Sequence, residues 1–209
     1  MTTATVSSKP AAPAPAPAPS TAAVPGAAPP AVSALERHAA FFDPKGTHRI
    51  TCSQTYDGMK RLGVPLVLRV LLTPIINGFL GLLTGGPPFV IEIDRIEKGK
   101  HPYDSGTFDD SGNLDPAAFD VLFPAGRTEI TAAEMDQVIS DRGDRKPEMG
   151  KVAGALGHLF SKAEVAVLFY VASDTTKTVN GKPVRAMTRE QLRSFYDGTL
   201  FDRIAAQHR

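Results

Sequence analysis

Between Leu62 and Leu83 the chain reads LGVPLVLRVLLTPIINGFLGLL, in which 14 of 22 residues are Leu, Ile, Val or Phe. As one straight helix, at about 1.5 Å per residue, this stretch would reach roughly 30 Å, the thickness of a bilayer's hydrocarbon. Two residues argue against a plain span. Pro74 lacks the amide hydrogen a helix interior needs, and its ring clashes with the carbonyl four residues back, so a kink or break into two arms of about ten residues is expected. Arg69 would cost about 2.5 to 3.5 kcal/mol in mid-bilayer unless it faces protein or reaches head groups. A shallow helical hairpin dipping into one leaflet suits both residues better than a span. The alternative is a kinked helix wholly buried in a soluble core.

The remaining composition narrows the function classes. The 209 residues suit one domain plus tails, or two small lobes sharing a core. With 23 basic and 22 acidic residues interspersed and no basic stripe, the electrostatics give no nucleic-acid partner. Cys52 is the only cysteine, so neither an internal disulfide nor a cysteine-rich zinc site can form. Residues 1–32 hold eight Pro and eleven Ala, a composition unable to bury a core, and are expected to be a disordered Ala/Pro-rich tail. A domain is expected over 33–209, with 62–83 as its lipid-anchoring segment.

Order should begin with Ser33-Ala34-Leu35-Glu36, the spacing of a capping box. His38 then shares an apolar helix face with Leu35, Phe41 and Phe42. By itself such a histidine reads as a hydrogen-bonded core imidazole or as a metal or haem ligand, the former being the commoner. The next segment has the outline of an EF-hand, with Asp43 at position 1 and Ile50 at position 8. Lys45, Thr47 and His48 fall at positions 3, 5 and 6, and Gln54 at 12, where calcium needs oxygen ligands, a glycine turn and a bidentate Glu. Calcium binding is therefore not expected at Asp43 and Gln54, although the helix-loop-helix shape is.

After the Gly/Pro turn TGGPPF, the alternation in VIEIDRI suggests a short strand, with a helix as the alternative. His101 lies among Lys100, Pro102 and Tyr103 and reads, alone, as a loop histidine. A second EF-hand imitation around Gly112 and Leu114 has Ala118 at its last ligand position and reads as a solvated turn. The remainder reads as helical: a capping box at Thr131 and Glu134, a core helix over 151–172 carrying His158 as a third candidate ligand, a polar loop over 173–183, and a terminal helix pair over 188–207. The fold class expected is mainly α, with EF-hand-like helix-loop-helix lobes around a proline-kinked apolar hairpin.

Several of these segments, in order, resemble the caleosin family of lipid-droplet haem peroxygenases. They are LERHAAFFD with the EF-hand-like loop and TYDGM, the proline-bearing apolar stretch, IEKGKHPYDSGTFDDSGNL, SKAE leading a helix that ends VASD, and YDGTLF. The resemblance runs from about Leu35 to Ile204. It implies a protein attached to a lipid droplet or membrane monolayer from one side, monotopic and facing the cytosol. It also implies a haem whose iron depends on two histidines, at the positions of His38 and His101, and a peroxygenase reaction. There one oxygen passes from a fatty-acid hydroperoxide to an unsaturated fatty acid, an oxylipin chemistry.

Three departures bear on the carry-over. The calcium loop has lost its ligands, Glu97 stands where the family often has another histidine, and the proline knot is reduced to Pro74 and the pair Pro87-Pro88. Thiolate ligation by Cys52 is a further alternative for the iron. Among competing functions, a non-catalytic lipid-droplet coat protein is the runner-up and a calcium sensor the third.

Overall fold

Side chains that satisfy the orphan amides of a helix start decide where several of the helices begin. The computed structural model describes residues 32–100, 105–143 and 151–208. In chain order its elements are α1 (Ala34–Ala40), β1 (Arg49–Ile50), α2 (Cys52–Arg61), α3 (Leu66–Thr84), β2 (Ile91–Glu92), a 3-10 helix (Ile93–Gly99) and α4 (Pro116–Asp120). After these come β3 (Glu129–Thr131), α5 (Ala132–Gly143), α6 (Lys151–Ala172), β4 (Thr175–Val179), β5 (Lys182–Thr188), α7 (Arg189–Tyr196) and α8 (Leu200–Gln207). Ser33 and Glu36 form the capping box of α1, and Thr51 with Gln54 does the same for α2. Thr131 and Glu134 exchange hydrogen bonds at the start of α5, and Thr188 accepts from the Gln191 amide at the start of α7. Residues 1–31 of the Ala/Pro-rich tail lie outside the described residues.

Most of the described residues are helical, as expected. The apolar stretch departs from expectation: α3 is one helix that runs through Pro74, not two arms of a hairpin. Its inward stripe of Thr73, Asn77, Gly81 and Thr84 lies on both sides of the proline, and this packing offsets an interior-proline cost of about 3 kcal/mol. Gly81 lets α3 lie against the returning chain, since a Cβ there would meet the Val90 carbonyl oxygen at 2.8 Å. Buried Asn77 donates its side-chain amide to the Ile50 and Phe89 carbonyls, each at 3.0 Å. Arg69 faces protein, its guanidinium 4.8 Å from the centre of the Tyr56 ring.

A second departure lies near the C-terminal end. The segment read as a polar loop over 173–183 is largely a β-hairpin, β4 with β5, and β3 joins it in the order β3-β5-β4, all antiparallel. Asn180 and Gly181 both take positive φ at its tip, the turn whose twist matches two paired strands. Β-branched residues flanking an Asn-Gly pair were the signal for it.

VIEIDRI divides between the two readings the sequence left open: β2 pairs with β1, Ile50 opposite Ile91, and the chain then winds into the 3-10 helix. The main core gathers Phe119, Leu122, Ile130, Met187, Leu192, Tyr196 and Leu200, all fully buried. A smaller cluster of Ala39, Ile50, Ile91, Ile93 and Ile96 joins α1 to the strand pair beneath α3.

Candidate active site

α1 and α7 meet where His38 sits. β5 leads directly into α7 through the Thr188 cap, and Arg37 Nε donates to the Asp197 carbonyl at 3.1 Å, tying α1 to the end of α7. His38 is thereby held against the Phe195 ring, edge-on with centroids 4.7 Å apart, and against Phe201 of α8 at 4.4 Å. Burial removes water from the imidazolium and lowers the pKa of His38 to about 4, against a smaller raising effect of its hydrogen bond to the Phe195 backbone. At neutral pH the ring is therefore uncharged: one nitrogen carries a proton and the other keeps its lone pair.

The ring is deep but not sealed. A cavity of about 190 Å³ lies on one side of it, walled by Leu35, Ile96, Lys100, Ser105, Met135 and Ser161 among others. A second, of about 170 Å³, is walled by Phe42, Met59, Ile76, Phe160, Ala163 and Val167 among others. His38, Leu80, Glu164, Leu168 and Phe195 border both. Glu164 escaped the sequence reading as a site residue. Its signal was available, because it is the only acidic side chain in the apolar run of α6.

His101 lies outside the described residues; Lys100 and Ser105, which border the undescribed segment, both wall the first cavity. The other described histidines stand apart from both cavities. His158 is 2.9 Å from Ser140 Oγ and 4.0 Å from Asp136. His48 is exposed, with Nδ1 2.6 Å from Asp94 Oδ1, and that carboxylate raises its pKa. His208 follows α8 at the surface. Cys52 borders neither cavity; its Sγ lies 3.9 Å from the Phe89 carbonyl oxygen.

The loop between α1 and α2 is closed by its own donors. Buried Asp43 accepts from Thr47 Oγ1 at 2.9 Å, from the His48 amide at 2.7 Å and from Gln54 Nε2 at 3.0 Å. Among the described residues no group of three His, Cys, Asp or Glu side chains is arranged to hold a metal ion.

α3 turns the usual helix arrangement round, with Thr73, Asn77, Gly81 and Thr84 inside and Leu66, Val67, Val70, Leu71, Ile75 and Leu82 exposed. It is long and apolar enough to cross a membrane, and little of it is buried in the protein.

Fold and cavity together define a class of mostly helical protein in which an uncharged imidazole lies behind a helix that faces outward with its apolar side. The chain belongs to the caleosin family: the family model described as caleosin related protein matches residues 31–205. It is similar to a protein named probable peroxygenase 4 from Arabidopsis thaliana, 28% identical over 184 residues that cover 83% of this chain and 86% of the relative. It is also similar to a peroxygenase from Lilium longiflorum, 26% identical over 184 residues, covering 83% of this chain and 70% of that protein. No solved structure matches it significantly.

Proposed function

We propose that this protein is a haem-dependent peroxygenase working at the surface of a lipid droplet or membrane, with His38 and His101 as the residues on which the iron depends. The observation that carries the reading is His38 itself: a neutral imidazole, one nitrogen engaged at a backbone carbonyl, bordering two cavities at once. A metal-binding histidine ordinarily donates its other ring N–H to a carbonyl or carboxylate, which orients the ring and leaves the lone pair for the metal. The donor set thus fits a residue that would hold a haem iron through its free ring nitrogen.

When bound, the haem supplies cleavage of the hydroperoxide O–O bond, so that one oxygen reaches an alkene or sulfide and the hydroperoxide leaves as an alcohol. His38 holds its neutral form well below physiological pH, and Phe195 and Phe201 keep water from its ring. Lys100, at the wall of the first cavity, suits a carboxylate, and its Nζ is held 2.7 Å from the Asp109 carbonyl oxygen.

Names of the two relatives and membership of the family support peroxygenase chemistry; the outward apolar face of α3 supports a lipid surface. The attachment proposed is monotopic, to lipid droplets or the endoplasmic-reticulum membrane and facing the cytosol; the outward apolar face of α3 supports contact with lipid. Fatty-acid hydroperoxides and unsaturated fatty acids are the substrates proposed. The Asp43 loop is proposed to stay closed without calcium, because Thr47 and Gln54 donate to the carboxylate that a cation would need. A calorimetric titration showing micromolar calcium binding would overturn that part.

The test is an optical spectrum. Haem added to the purified chain should give a Soret band, and His38→Ala and His101→Ala should each weaken it and abolish hydroperoxide-dependent epoxidation, while His158→Ala leaves both unchanged. A chain that gives no Soret band sinks the haem reading. A second reading, a non-catalytic coat protein with EF-hand-like interaction lobes, is favoured by the exposed face of α3 and predicts lipid binding without haem.

A further inference from the structure

We infer that the second cavity is a slot for a fatty acyl chain that fills sideways from lipid, through the seam between α3 and α6, with Ile75 at its mouth and Ala163 limiting the bulk it admits. The substrate class rests on the peroxygenase reading; the slot and its direction of entry rest on geometry. Ile75 is the residue that joins the two. It is 51% exposed on the outward apolar side of α3, and it also lines the second cavity. An apolar chain leaving lipid along α3 therefore meets no polar surface before it is inside the protein. Along the wall only His38, Thr55 and Glu164 interrupt apolar side chains, whereas the first cavity adds Lys100, Ser105 and Ser161.

The seam is built to admit a chain. α3 packs chiefly on α2, β2 and the 3-10 helix, and meets α6 at the ring pair Phe79 and Phe160, centroids 4.5 Å apart. Leu71 on α3 and Leu159 on α6 are themselves exposed, so both helices carry apolar side chains at the surface. Inside, Leu72 and Ile76 of α3 line the same cavity as Ala163 and Val167 of α6. Ala163 is the smallest side chain in that wall, so a larger one there takes space from the slot with least disturbance of its surroundings.

The full chain is titrated with cis-parinaric acid in the absence of haem, and binding is read from the fluorescence of that polyene. Ala163→Phe should weaken binding about tenfold or more. Gly99→Leu, which fills the first cavity, should change it by less than about twofold. Should Ala163→Phe fail to fold by circular dichroism, Val167→Phe narrows the same slot from the next turn. Sideways entry is read by loading the probe into phosphatidylcholine vesicles: Leu82→Asp, which borders neither cavity, should keep the affinity for free probe but slow its uptake from vesicles.

Binding blocked by Gly99→Leu and untouched by Ala163→Phe and Val167→Phe overturns the slot, and so does a wild-type chain that binds no probe. Uptake from vesicles equally fast in Leu82→Asp overturns sideways entry. Probe binding in a chain that gives no Soret band leaves the slot standing and removes the haem reading; a Soret band beside unblocked binding does the reverse.

Discussion

α3 and α6 are both long and apolar, and they lie in opposite senses. α6 turns Phe160, Val165, Leu168, Phe169 and Ala172 inward, as a core helix of a soluble domain does. α3 turns in two threonines, an asparagine and a glycine, and leaves Val67 at 67% and Leu82 at 80% exposure. The difference teaches that apolar content alone does not locate a helix. Where polar side chains have partners inside, as Asn77 has at the Ile50 and Phe89 carbonyls, the apolar side is left without a partner among the described residues, and lipid is the solvent proposed for it.

The comparison can be broken at the core side first. Phe169→Ala empties part of a well-packed core and should cost about 3 to 5 kcal/mol in chemical denaturation, with no change in lipid binding. A cost below about 1 kcal/mol would mean that α6 is not the core helix.

Acid should act next, on the cavity that α3 and α6 share through Leu80 and Leu168. Between pH 6.5 and about 4 the unfolded chain binds a proton at His38 that the folded chain refuses, so stability falls as pH falls through that window. The loss should approach about 3 kcal/mol by the lower end and be absent above the upper end. Equilibrium unfolding at several pH values checks it: His38→Ala should flatten this part of the slope, and an unchanged slope would assign the effect to carboxylates.

Asn77→Leu should cost about 1 to 3 kcal/mol, because the Ile50 and Phe89 carbonyls lose a buried donor. Thermal melts monitored by circular dichroism would show it. An unchanged melting temperature would mean that the inward stripe of α3 is passive.

Smallest in stability and sharpest in contrast is Leu82→Ala. It should change folding by less than about 0.5 kcal/mol, since the side chain touches solvent, yet reduce flotation with lipid emulsions. Equal flotation of Leu82→Ala, Leu71→Ala and wild type would take the lipid face away from α3.

Much of this architecture was open to reading from residues. Capping patterns at Ser33 and Thr131 gave two helix starts, and the apolar run marked where α3 lies, though as one helix through Pro74 and not the two arms expected. The hairpin β4-β5 departs from the polar loop expected although Asn180-Gly181 carries the turn chemistry, because its strands are largely exposed and lack the apolar alternation of half-buried strands. At the candidate site, His38 read from its apolar helix face as a core imidazole and was marked as a site residue only by the family resemblance, whereas Glu164 was hidden in a segment that read as plain core.

Local chemistry written along the chain determined where helices start, which stretch is too apolar to ignore, and that the Asp43 loop lacks calcium's ligands. Tertiary structure alone decided which way α3 faces, because that depends on the Ile50 and Phe89 carbonyls being there to receive Asn77. It also decided the charge state of His38, since the aromatic rings and the carbonyl that surround this imidazole come from α7 and α8, at the far end of the chain. A residue's identity sets which interactions it can make, and burial among distant partners sets which of them it keeps.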